Sequence, residues 1–168
     1  MQNPDVAIIV GSASDLEIVE KSGMTDILDG AGASWTVSVI SAHRNPDDLK
    51  EYIEIQSVGV YIAVAGLSAA LPGAVVSQLL AQGRLATPVV GVALSSDNLD
   101  GLDALLAICR MPPGVPVAFT GIDKPGLKNA AWLAGQIVDM DNVQYERFRE
   151  YYRNTVKSPQ LNLRTSKG

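Results

Sequence analysis

Four runs of consecutive apolar, mostly β-branched residues stand out along the chain: VAIIV at 6–10, WTVSVI at 35–40, GVYIAVAG at 59–66 and PVVGVAL at 88–94. VPVAFTGI at 115–122 adds a fifth. A strand with one wet face alternates apolar and polar positions. Runs that are apolar on successive positions suit strands covered on both faces, as in a parallel sheet between helices.

The segments between the runs carry helical patterns. A helix is expected over 14–29, entered through SASDLEIVEK at 12–21, where Ser14 or Asp15 can cap and Leu16 and Val19 share a face. Residues 46–56 read NPDDLKEYIEI from Asn45 onward, with Asn45 as the cap and Pro46 in the first turn. Helices are also expected over 71–81, 100–109 and 125–140. The order βαβαβαβαβα predicts a three-layer α/β/α domain over 1–140: a doubly wound parallel sheet of flavodoxin-like or Rossmann-like type, binding ligands outside the carboxyl ends of its strands. From 141 to 157 charge mixes with Tyr145, Phe148, Tyr151 and Tyr152 at helical spacing. That pattern predicts an appended amphipathic helix, packed on the domain itself or on a neighbouring subunit. Residues 158–168 read as a flexible tail.

Composition narrows the classes. With 168 residues, 47% of them apolar, the chain suffices for one well-cored domain, and its 15 glycines and 9 prolines are scattered as turns rather than gathered into a linker. A formal charge of −5 leaves no basic surface for a polynucleotide. One cysteine excludes an internal disulfide framework, and the setting LLAICRMP makes Cys109 a small buried hydrophobe inside a helix. The start lacks a basic region followed by a signal core, and no apolar run approaches the roughly 20 residues of a membrane span, so a soluble cytoplasmic protein is expected.

Candidate chemistry sits where the strands end. The first runs into GSASD: Gly11 allows a tight turn, Ser12 and Ser14 offer hydroxyls, and a helix N-terminus follows, a combination suited to phosphate. Asp15 can accept from ribose hydroxyls. The same letters also serve ordinary turns and caps. The second strand ends in SAHRNP, bringing Ser41, Ala42, His43 and Arg44 to the same rim. Arg44 offers a forked cation for phosphate, and His43, the single histidine, is either a solvated polar residue or a proton carrier. The third ends in AVAGLSAALPG, whose small residues 65, 66, 68, 69 and 70 let backbone approach a planar ligand or hold a carboxylate or CO2. The proline-rich turn at 110–116 is expected to wall the same crevice.

GSASD, SAHRNPD, AGLSAALPG, DGLDALLAICRMPPGVPVA and KNAAWLAGQI, taken in order and spacing, resemble the N5-carboxyaminoimidazole ribonucleotide mutases and related aminoimidazole ribonucleotide carboxylases of de novo purine synthesis. The resemblance runs from about Val6 to Val138. It implies an octamer whose sites are completed by neighbouring subunits, a ribonucleotide substrate with CO2, and no metal, ATP or organic cofactor. It further implies that Gly11, Ser12, Ser14 and Asp15 hold the ribose-phosphate with Ser41, Ala42 and Arg44. Gly66, Ser68, Ala69 and Leu71 would surround the carboxylate and ring, and His43 would carry protons.

One position departs from the pattern. Mutases of this resemblance usually read alanine-histidine-leucine-proline-glycine in the third loop, where this chain has Ala69-Ala70-Leu71-Pro72-Gly73, so the second family histidine is replaced by Ala70. An engineered change, a natural variant that works through His43, and a paralogue with another ribonucleotide are the three accounts of it. The passage 77–89 is also longer than usual and reads as a helix extension. Mutase is preferred over direct carboxylase, with a non-catalytic nucleotide binder as the alternative of another class.

Overall fold

The computed structural model describes residues 3–84, 86–96, 99–138 and 141–156. Five strands, β1 (Val6–Val10), β2 (Trp35–Val39), β3 (Val60–Ala65), β4 (Val89–Ala93) and β5 (Ala118–Ile122), form one sheet in the order β2-β1-β3-β4-β5, and every pair is parallel. Among the described residues seven helices connect and flank it: α1 (Ala13–Ser22), α2 (Met24–Ala31), α3 (Pro46–Ile55), α4 (Leu71–Ala81), α5 (Leu102–Cys109), α6 (Asp123–Ile137) and α7 (Asn142–Thr155). The expected doubly wound α/β architecture is the one observed.

The unbroken apolar runs have the predicted cause. Val6, Ile8 and Val10 of β1 join Val60, Ile62 and Val64 of β3 in one core with α1, α2 and α6. Their neighbours Ala7, Ile9, Tyr61, Ala63 and Ala65 join a second core with α3, α4 and α5. Successive side chains point to opposite faces, so a strand buried on both sides has no position left for a polar residue. The edge strands β2 and β5 are only partly covered.

Several boundaries differ from the sequence reading. The helix expected over 14–29 is two helices, because Gly23 takes a left-handed φ of 80° and the buried Ser22 hydroxyl donates to Val19 O and accepts from Met24 N. β5 starts at 118 rather than 115: Pro116 has no N–H to give the ladder, and Val115 N turns back to Pro112 O. α5 starts at 102 because Asp100 and Gly101 are both left-handed. Asn45 stands at the N-cap of α3 without a side-chain capping bond; its amide accepts from Ser41 N and donates to Asp48 instead. Cys109 is exposed at the last residue of α5, which corrects its assignment as a buried helix-interior residue.

α7 opens with a capping box between Asp141 and Gln144 and lies against α2 and α6. Phe148 seats on Gly135, and Trp132 packs against the rings of Phe148, Tyr151 and Tyr152 at 5.5, 5.6 and 4.9 Å. The tail expected over 158–168 lies outside the described residues.

In the long passage after α4, Arg84 reaches back to the C-terminus of α3, donating to Ile53 O and Gln56 O, while the buried Tyr61 hydroxyl also donates to Gln56 O at 2.9 Å. These donors meet carbonyls that a helix end leaves unpaired. Burial raises the Tyr61 pKa above 10, with Arg84 opposing the shift. The raised value means that folding favours the neutral phenol, so its contribution is complete below the unfolded pKa and is lost as pH rises through the folded one. Tyr61→Phe is therefore expected to cost about 1 kcal/mol at pH 7 and to flatten the fall in stability above pH 10, read by urea unfolding across pH 7–11. An alkaline limb unchanged from wild type would remove Tyr61 as its cause.

Candidate active site

A cavity of about 850 Å³ opens across the carboxyl ends of β2, β1, β3 and β4. Each strand hands the chain to a turn there, and each turn supplies a wall.

The β1 turn brings Gly11, Ser12, Ser14 and Asp15 to the cavity. Ser12 is the extended N-cap of α1, yet its hydroxyl makes no capping bond; it pairs with Ser14 Oγ at 2.7 Å. The first N–H groups of this ten-residue helix therefore lack a side-chain cap and face the opening with the positive end of the dipole. Arg44 Nη2 donates to Gly11 O at 2.9 Å, which holds the guanidinium beside that helix end. The cation and the N-terminal end of the helix form an arrangement suited to an anion.

The β2 turn closes on itself. Ser41 N donates to Asn45 Oδ1, Asn45 N to Ser41 O, and Arg44 N to Ser41 Oγ. Ala42 and His43 line the cavity from this turn, with the imidazole solvent-exposed on its wall. Pro46 then starts α3 and carries the chain away.

The β3 turn is the most strained. Leu67 and Ala69 have φ values of 47° and 37°, conformations that L residues adopt at a cost. Gly66 lies so near β4 that a Cβ would stand 3.3 Å from Leu94 O. Gly66, Ser68, Ala69, Ala70 and Leu71 form the third wall, and α4 begins at Leu71, so its N-terminal end lies at the cavity, with Pro72 in the first turn offering no N–H.

Every residue singled out from the sequence as a site candidate, Gly11, Ser12, Ser14, Asp15, Ser41, Ala42, His43, Arg44, Gly66, Ser68, Ala69 and Leu71, lies on this one cavity. The turn at 110–116 does not line it; Met111 packs over Gly73 of α4 instead. Leu94, Ser95 and Ser96 after β4, and Ile18 from α1, are lining residues that the sequence reading missed. The signal was available for the serines, since they follow an apolar run just as Ser12 and Ser41 do. Among the described residues no group of three or more His, Cys, Asp or Glu side chains could hold a metal ion, and no helix is long and apolar enough to cross a membrane.

The chain is similar to known proteins in sequence and in fold. The chain is 42% identical over 152 residues to the N5-carboxyaminoimidazole ribonucleotide mutase of Methanocaldococcus jannaschii, covering 90% of each chain. It is 40% identical over 161 residues to the mutase of Bacillus subtilis, covering 94% of each. The crystal structure of Treponema denticola PurE superposes with a TM-score of 0.70 at 28% identity, over 89% of both chains. Residues 5–158 match the family model described as AIR carboxylase. The chain belongs to the AIR carboxylase family.

Proposed function

We propose that the protein interconverts N5-carboxyaminoimidazole ribonucleotide and 4-carboxy-5-aminoimidazole ribonucleotide in purine biosynthesis. The observation that carries this reading is the joining of His43, the Arg44 and α1 anion site, and the Gly66–Leu71 wall on a single cavity. Relatives at about 40% identity that bear the mutase name support it.

The substrate phosphate binds at the α1 N-terminus and Arg44, with Ser12, Ser14 and Asp15 taking the ribose-phosphate hydroxyls and oxygens. The exocyclic N–C bond of the carbamate breaks, and its electron pair takes a proton from the His43 imidazolium as CO2 leaves. CO2 rests against the α4 N-terminus and the small residues from Gly66 to Leu71. The ring carbon attacks it, forming the C–C bond, and neutral His43 then removes the proton from that carbon to restore the aromatic ring. Atoms and electrons balance without metal, ATP or an organic cofactor.

The cytoplasm is the proposed compartment, and an octamer the proposed assembly. Support for assembly comes from Leu99, Leu102, Leu106 and Cys109, an exposed stripe at helical spacing along and just before α5, with no partner among the described residues. A mass measurement in solution that returned a stable monomer would remove it.

A second reading is favoured by Ala70. A methyl group stands where a second histidine is expected from the resemblance, which suits direct carboxylation or a paralogue acting on another ribonucleotide. An ultraviolet assay following loss of 4-carboxy-5-aminoimidazole ribonucleotide, run beside forward assays supplied with the carbamate or with bicarbonate, tests both. Turnover with preference for the carbamate is the expected result. Preference for bicarbonate supports the carboxylase, and silence in all three assays overturns the purine reading.

A further inference from the structure

Ser95 lines the cavity at the end of β4, and it is held in a costly way. Asp123, the first residue of α6, has a φ of 50°, and its carboxylate grips Ser95 twice: Oδ1 accepts from Ser95 N at 2.8 Å and Oδ2 from Ser95 Oγ at 2.6 Å. On the other side the left-handed pair Asp100 and Gly101 brings backbone against the same residue, so that a Cβ on Gly101 would stand 3.2 Å from Ser95 Cα. Two residues in the left-handed region, Asp123 and Gly101, thus lie against one cavity serine. Strain of this kind persists where surrounding structure over-determines it, and it gathers at ligand clamps.

The hydrogen-bond inventory gives the grip a chemical meaning. A serine hydroxyl has one proton and two lone pairs, and the proton of Ser95 is committed to Asp123. Its backbone N–H is committed as well. Toward the cavity Ser95 Oγ can only accept. The proposed anion site lies at the N-terminus of α1, just after β1, and β4 is two strand spacings from β1, roughly 10 Å away, so Ser95 stands across the β3 turn from the phosphate.

We propose that Asp123 is a positioning residue that makes Ser95 an acceptor-only group, selecting a ligand whose ring carries an amine donor at the end remote from phosphate. This rests on the ribonucleotide reading above, in which that donor is the exocyclic amine of the aminoimidazole ring.

Asp123→Asn is the discriminating variant. Its carbonyl oxygen still accepts from Ser95 N, which leaves its NH2 facing Ser95 Oγ; the hydroxyl must now accept there and turn its own proton into the cavity. Calorimetric affinities for 5-aminoimidazole ribonucleotide and for imidazole ribonucleotide, which lacks the amine, read the effect as a ratio. Wild type is expected to favour the amine by about tenfold, and Asp123→Asn and Ser95→Ala to bring the ratio near one. Asp123→Gly, which tolerates the positive φ, is expected to melt no lower than wild type and to lose the preference too, separating positioning from folding. An unchanged ratio in Asp123→Asn, or an equal loss for both nucleotides, overturns the proposal. Wild-type protein that binds neither nucleotide overturns the functional reading and the amine assignment with it, whereas wild-type preference with an indifferent Asp123→Asn overturns the positioning role alone.

Discussion

Replacing His43 by Asn is expected to lower kcat by about 10²- to 10⁴-fold, the range for loss of a general acid-base group, while affinity for the ribonucleotide stays within about threefold of wild type. The split follows from the layout of the cavity. In the proposed reaction binding is assigned to the α1 N-terminus, Arg44 and the serines of the β1 turn, which line the cavity beside the imidazole. The β2 turn is closed by backbone and by Ser41 and Asn45, so the exposed imidazole can be replaced without unravelling it. His43 is also the chain's single histidine, so its titration is readable directly by NMR without assignment and can be set beside the pH dependence of kcat. Turnover above a tenth of wild type in His43→Asn would dismiss the proton-carrier role and hand the proton to solvent.

Gly126→Ala is expected to be the most damaging small substitution for folding. A Cβ at 126 would stand 2.5 Å from Gly121 O and 3.1 Å from Gly121 Cα, backbone atoms that cannot rotate away. Gly121 itself has a φ of 130°. Overpacking against backbone costs about 3 kcal/mol, and for a chain of this size that lowers Tm by roughly 6–12 °C. The comparison is Gly114→Ala, where a Cβ meets nothing within 4 Å and only the φ of 89° opposes it, a cost of about 1–2 kcal/mol. Thermal unfolding followed by circular dichroism separates them; a Gly126→Ala melt within 2 °C of wild type would mean that the β5–α6 turn opens freely. Because this turn delivers Asp123 to Ser95, the same substitution is expected to weaken the nucleotide preference as well as the fold.

Legibility from sequence followed how local each cause is. The β1 and β2 turns were readable because a doubly wound sheet gathers whatever follows its strands: Ser12, Asp15, His43 and Arg44 needed only a strand, a turn and a parallel order to converge. Ser95 and Ser96 obey the same rule, but they carry no charge or ring to call attention to themselves. Asp123 was beyond reach in a different way. Read along the chain it is an acidic residue in the first turn of a helix, an ordinary dipole partner, and its link to Ser95 spans 28 residues and two adjacent strands. The break at Gly23 and the late start of β5 show the converse. Ser22-Gly23 and Pro116 are local signals, yet the apolar pattern on either side continues through them, and burial periodicity does not register a kink.

By itself the sequence determined that this chain forms a parallel sheet between two layers of helices, because the unbroken apolar runs of β1, β3 and β4 can be buried only on both faces, and that the groups following its strands meet at one rim, because parallel strands all end on the same side. It also carried the family, through motifs whose order and spacing survive in the letters. Tertiary structure alone decided which groups meet across strands: Arg44 against the carbonyl of Gly11, Met111 over α4 rather than over the cavity, and a left-handed Asp123 clamped on Ser95. Those pairings depend on strand order and on the direction in which each turn leaves the sheet, quantities set by the packing of the whole domain and written in no single segment.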